Sequence, residues 1–96
     1  MEVRIQAIHF EASAKLVEFI NKKVERLVRR FSAVTAADVT LKVVKPETAM
    51  NKEALVRLTA PAGDLVANKV ADSFEEAVDL ALTALESQLE KYKDKK

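Results

Sequence analysis

A chain of 96 residues, 49% hydrophobic and 32% charged, has the length of one domain and the balance of a folded, well-solvated one rather than of a disordered segment. With no Cys and a single His, His9, it excludes a disulfide scaffold, a Cys-based zinc site and a thiol nucleophile, and leaves little from which to build a transition-metal site or a Ser-His-Asp triad. The net charge of +1 is unevenly spread: residues 13–31 hold six bases against Glu18 and Glu25, a local +4, whereas residues 73–90 hold five acids and no base, a local −5, and the last six residues return +3.

The N-terminus has none of the regions of a secretory signal, and no run approaches the roughly 18 apolar residues that would span a membrane, so a cytoplasmic protein without membrane contact is expected. In residues 2–8, Val3, Ile5 and Ala7 alternate with Arg4 and Gln6, the period of a half-buried strand. His9, at the end of that strand, reads as a surface or turn residue. Ser13 then offers a hydroxyl to cap a helix. Beyond it Leu16, Ile20, Val24, Leu27 and Phe31 recur every three or four residues, with Val17, Phe19 and Val28 widening the stripe, which predicts a helix of about 18 residues.

Residues 38–45 alternate Val39, Leu41 and Val43 with Thr40 and Lys42, a second strand ended by Pro46. After the polar segment 46–53, residues 54–60 form a third, with Val56, Leu58 and Ala60 on one face and Arg57 and Thr59 on the other. Pro61 and Gly63, within 61–64, are turn residues that predict a hairpin to a fourth strand at 65–71. Asp72 or Ser73 caps a final helix, with Phe74, Ala77, Val78, Ala81, Leu85, Leu89 and Tyr92 on one side and Glu75, Asp79, Glu86 and Glu90 on the other. The order predicts an α+β fold, a β-α-β-β-β-α two-layer sandwich in which both helices cover one face of a four-stranded sheet and the strands' polar positions form the other face.

Only the first helix offers a charge pattern with chemical content. On a helical wheel Lys15, Lys22, Lys23, Arg26, Arg29 and Arg30 share one arc. An ordinary solvated face carries bases laced with acids, but Glu18 and Glu25 are too few to pair six cations, and such a row can neutralise nucleic-acid phosphates. Lys91, Lys93, Lys95 and Lys96 can extend the patch, or complement the dipole of the helix they follow. The acids of the last helix read as a solvated face that repels phosphate and turns away from RNA. One Gly in the chain removes both the dinucleotide fingerprint and the P-loop, and no convergent carboxylate set suggests an enzyme, a cofactor or a metal. Phe19, Phe31 and Tyr92 read as packing residues, and no strand carries the exposed aromatics of an RNA-recognition-motif sheet. The competing possibility is a protein-interaction module, whose oppositely charged helices bind a partner or a second copy without RNA.

Nearly the whole chain resembles the ribosome hibernation-promoting factor and ribosome-associated inhibitor family, also called the sigma-54 modulation protein family. The first helix matches at Leu16, Glu18-Phe19-Ile20, Lys23, Arg26 and Phe31, and the last at Ala77-Val78-Asp79, Leu85-Glu86, Gln88-Leu89 and Lys91. It departs at Glu75, where the family usually has Tyr, and at Ala84 and Ser87, where Lys and Arg are usual. The resemblance implies a short form, residues 1–96 as a single ribosome-binding domain without the C-terminal dimerisation domain of long forms, monomeric when free. It further implies a non-enzymatic factor of translation control under stress that binds the small ribosomal subunit and its rRNA in the mRNA–tRNA channel. Lys22, Lys23, Arg26, Arg29, Arg30, Lys91, Lys93 and Lys95 are the expected RNA contacts.

Overall fold

In the computed structural model, which describes residues 2–8, 10–44, 51–61 and 63–94 and side chains as far as Lys91, the six elements follow in the expected order. They are β1 (Glu2–Ala7), α1 (Ala14–Arg30), β2 (Ala36–Val43), β3 (Lys52–Thr59), β4 (Leu65–Ala71) and α2 (Phe74–Asp94). His9, Pro46 and most of the polar segment after it lie outside the described residues.

Local chemistry sets the helix starts. Ser13 has extended backbone, and its Oγ accepts from the Leu16 N–H at 3.1 Å, satisfying one of the donors that a helix N-terminus leaves orphaned. Of the two caps offered for α2, Ser73 is the one used, since its Oγ accepts from the Glu76 N–H at 3.2 Å. Glu75 and Glu76 in the first turn of α2, and Arg29 and Arg30 in the last turn of α1, complement the helix dipoles. The last helix is longer than its apolar stripe, for it runs on to Asp94 and takes Lys91 and Lys93 into its final turns.

The sheet has the spatial order β1-β2-β3-β4, with β1 parallel to β2 and the other pairs antiparallel. Gly63 turns the β3–β4 hairpin at φ +134°, a conformation that a side chain rarely adopts, and its N–H donates to the Ala60 carbonyl at 3.0 Å. Strands β2 and β3 each begin two residues before their apolar alternation. Ala36 pairs with both Glu2 and Thr59, and Lys52 with both Val43 and Ala71, so cross-strand pairing recruits residues of weak strand propensity.

Both helices cover one face. Ala37, Val39 and Leu41 of β2 and Ala54, Val56 and Leu58 of β3 are buried beneath Leu16, Ile20, Val24 and Leu27 of α1 and Ala77, Val78, Ala81, Leu82, Leu85 and Leu89 of α2. Ile20, Leu41, Leu58, Leu85 and Leu89 are essentially inaccessible, each contributing about 1.5–3 kcal/mol by burial. α2 lies over β3 and β4, while α1 packs on β1 and against α2. The opposite face carries Arg4, Gln6, Asp38, Thr40, Glu53 and Arg57, as the polar alternation requires, with half-buried Leu55 among them.

One charge breaks the alternation. Lys69 pairs with Ala54, so it points to the helix side of edge strand β4, yet it is exposed. An inward-register lysine on an open edge makes addition of another strand costly, because pairing would surround the ammonium with a second chain. Lys69→Val is therefore expected to raise self-association, seen as an earlier, concentration-dependent elution in size-exclusion chromatography without loss of helical signal.

Candidate nucleic-acid interface

The α1 arc folds as one surface, but its cations are not equivalent. At about 100° per residue the arc is some 120° wide, and one edge, bearing Lys23 and Arg30, borders the apolar stripe. Asp79, Glu86 and Glu90 border the stripe of α2 in the same way, beside Leu82. When the stripes meet over the sheet, these edges come together. Lys23 Nζ lies 3.3 Å from Asp79 Oδ1, and Arg30 spreads its guanidinium across two carboxylates, Nη1 to Glu86 Oε2 and Nη2 to Glu90 Oε2, each at 3.1 Å. The step from Lys23 to Arg30 and the step from Asp79 to Glu86 are both seven residues, about 10.5 Å on a helix, so the two helices run in the same direction with their charges in register.

The acids expected to form a separate solvated face of α2 thus line a groove shared with α1, and they supply the counter-charges that Glu18 and Glu25 are too few to provide. Exposed ion pairs of this kind contribute about 0–1 kcal/mol each, so they orient side chains more than they hold the fold. Each cation also lies over an aromatic ring, Lys23 at 5.6 Å from the Phe19 centroid and Arg30 Cζ at 5.2 Å from the Phe31 centroid. Phe31 is buried core as expected, whereas Phe19 is half-buried within the basic arc.

The solvent side of the arc is different. Among the described residues Lys22 pairs only with Glu18, at 3.4 Å, with both side chains more than two-thirds exposed. Lys15, Arg26 and Arg29 form no ion pair among the described residues and are exposed. Lys22, Glu25, Arg26 and Arg29 line a shallow hollow of about 180 Å³, three cations around one carboxylate. Lys91 is exposed on α2, Lys93 lies on the same helix with its side chain outside the described part, and Lys95 is outside the described residues. The six cations of the α1 arc therefore divide into those without an α2 partner among the described residues, namely Lys15, Arg26 and Arg29 with Lys22 weakly held, and those tied to α2, namely Lys23 and Arg30; of the expected contacts, Lys15 is an addition from the arc.

Two further concavities are lined by described residues. The interhelix groove, about 140 Å³, has Lys23 and Arg26 on one wall, Asp79, Thr83 and Glu86 on the other, and Leu27 and Leu82 as its floor. On the outer face of the sheet a hollow of about 300 Å³ is lined by Arg4, Gln6, Asp38, Thr40, Leu55 and Arg57. There Arg57 is held by Asp64, with Nη2 at 2.8 Å from Oδ2. Among the described residues no cluster of acidic, His or Cys side chains could hold a metal ion, and no helix is long and apolar enough to cross a membrane.

Residues 3–96 match the family described as sigma 54 modulation protein / S30EA ribosomal protein. Over 95 residues the chain is 30% identical to a ribosome hibernation promoting factor of Pseudomonas putida, covering 99% of this chain and 89% of that one. It is 27% identical to the protein of the same name from Azotobacter vinelandii, covering 99% and 85%. The fold superposes on a ribosomal subunit interface protein from Coxiella burnetii with a TM-score of 0.87 at 23% identity, over 99% of this chain and all of that one. On the N-terminal domain of Thermus thermophilus Protein Y the TM-score is 0.79 at 22% identity, over 96% and 99%. A family match that spans nearly every residue, joined to the same β-α-β-β-β-α fold, places this chain in the sigma 54 modulation protein / S30EA ribosomal protein family.

Proposed function

We propose that this protein is a non-enzymatic ribosome hibernation factor that binds the small ribosomal subunit in the mRNA–tRNA channel and blocks translation by occupancy. It acts in the cytoplasm, as a monomer when free, and its first contacts with rRNA are made by the solvent side of α1. The observation that carries this function is the set of Arg26, Arg29 and Lys15, exposed and without carboxylate partners among the described residues, in a chain whose relatives are named ribosome hibernation promoting factors. Distributed phosphate contacts suit a compact domain seated in an RNA cleft, because A-form RNA presents phosphates and 2′-hydroxyls more readily than base edges. A module that recruits a partner through oppositely charged helices is less well served, since the opposite charges meet within the chain at Lys23–Asp79 and Arg30–Glu86.

Binding to purified small subunits tests this directly. If Lys15, Lys22, Arg26 and Arg29 neutralise about four phosphates, log K falls with log salt at a slope of roughly −3 to −4, about a hundredfold between 50 and 200 mM salt. An affinity that is flat over that range would overturn the RNA interface.

A further inference from the structure

The interhelix groove has a composition that phosphate binding alone does not explain. Its α1 wall is cationic, its α2 wall presents two carboxylates with Thr83 between them, and its floor, Leu27 and Leu82, is apolar. A bare phosphate there would meet Asp79 and Glu86 as well as Arg26. The ligand that satisfies all three surfaces is a planar ring with an apolar face, an edge of hydrogen-bond donors and an attached anion.

The ion pairs leave the acceptors open. Asp79 contacts Lys23 through Oδ1, and Glu86 contacts Arg30 through Oε2, and neither carboxylate is shared with a second cation among the described residues. A carboxylate offers about four lone-pair sites, so Asp79 retains room to accept two parallel N–H groups, while Lys23 holds it in place. Arg26, at the rim of both the groove and the neighbouring hollow, has no ion-pair partner among the described residues and faces the place where a phosphate would lie. At about 140 Å³ the groove admits one ring system.

We infer that this groove receives an unpaired guanine of the bound RNA. Its N1–H and N2–H donors pair with the Asp79 carboxylate, its ring lies over Leu27 and Leu82, and Arg26 takes its phosphate. Guanine fits best among the bases because its Watson–Crick edge sets two donors side by side, whereas adenine and cytosine place an acceptor beside their donor and would oppose a carboxylate. Unstacked bases in single-stranded segments are the parts of RNA read in this way. The inference rests on the proposed RNA binding and adds a base preference to it, which the free cations of α1 cannot supply.

The test uses the full chain and three fluorescein-labelled eight-nucleotide RNAs, identical except for a central guanosine, inosine or uridine, with binding followed by anisotropy at low salt. The guanosine RNA should bind about tenfold more tightly than the uridine RNA, within the range expected for a bidentate contact, with inosine, which lacks the N2 amine, in between. Asp79→Asn should erase the difference, because an amide cannot accept both donors, while Glu75→Gln, which removes the same charge outside the groove, should preserve it. On purified small subunits Asp79→Asn should weaken binding, the opposite of what relief of phosphate repulsion would do. Equal affinity for the three RNAs, a preference that survives Asp79→Asn, or tighter subunit binding by Asp79→Asn overturns the guanine site while leaving the salt-dependent RNA interface intact. Failure of the wild-type chain to bind either the RNAs or the subunits overturns both.

Discussion

Replacing Arg26 and Arg29 together by Glu should weaken binding to small ribosomal subunits well over tenfold, or more than about 1.4 kcal/mol, while the chain stays folded and its melting temperature falls by only a few degrees. Both side chains are exposed and neither forms an ion pair among the described residues, so the stability cost is confined to the negative charge that Arg29→Glu sets in the last turn of α1, about 0.3–1 kcal/mol. The bound state loses two phosphate contacts and gains two repulsions, and the salt slope should flatten by at least about 1.4 to 1.8. Arg30→Glu is a different experiment. It would set a third carboxylate beside Glu86 and Glu90, which now lie 3.1 Å from its guanidinium, and would disturb the α1–α2 contact along with any RNA contact. Normal binding by the Arg26/Arg29 variant, with loss of binding on reversal of Lys42 or Arg57, would move the RNA surface from α1 to the outer face of the sheet.

Ile20→Ala should be the most damaging single truncation in α1, costing about 2–5 kcal/mol. Ile20 is fully buried at the centre of the α1 stripe and belongs to the same core cluster as Val24, Val39 and Leu85. Removing its branched side chain leaves a cavity that a two-layer sandwich with a single core can fill only by shifting a helix. For a domain of this size each kcal/mol corresponds to roughly 4–8 °C in melting temperature, so a fall of ten degrees or more is expected in a thermal melt. Val66→Ala, on the outer face of β4 where the side chain is 49% exposed, is the matched control and should leave the melt almost unmoved. Similar melting temperatures for the two variants would mean that the core does not lie between helices and sheet.

These two tests fall on different kinds of information. The core was legible in the chain itself: periods of two and of three to four mark which side of each strand and helix must leave water, and Leu16, Ile20, Val24, Leu27 and Phe31 of the first stripe and Ala77, Val78, Ala81, Leu85 and Leu89 of the second are buried as those periods require. Ser13 and Gly63 were legible for the same reason, and the cap of α2 was narrowed to Asp72 or Ser73, because caps and turns depend on neighbours a few residues away. Strand starts were less so. Ala36 and Lys52 join the sheet because a partner strand on each side supplies hydrogen bonds, which their own propensities do not announce.

The site divides along the same line. That six cations share an arc of α1 follows from the helical repeat alone. Which of them remain free does not, since a wheel drawn for one helix places each charge relative to its own apolar stripe and is blind to the helix that will lie against its flank. The matching seven-residue steps, Lys23 to Arg30 and Asp79 to Glu86, stand in the sequence, but they become a ladder only when both helices lie on the same face of the sheet in the same direction. Long-range charge pairing depends on distances set by the sheet's order, so only the tertiary structure decides that Lys23 and Arg30 turn inward to α2 while Arg26 and Arg29 face water.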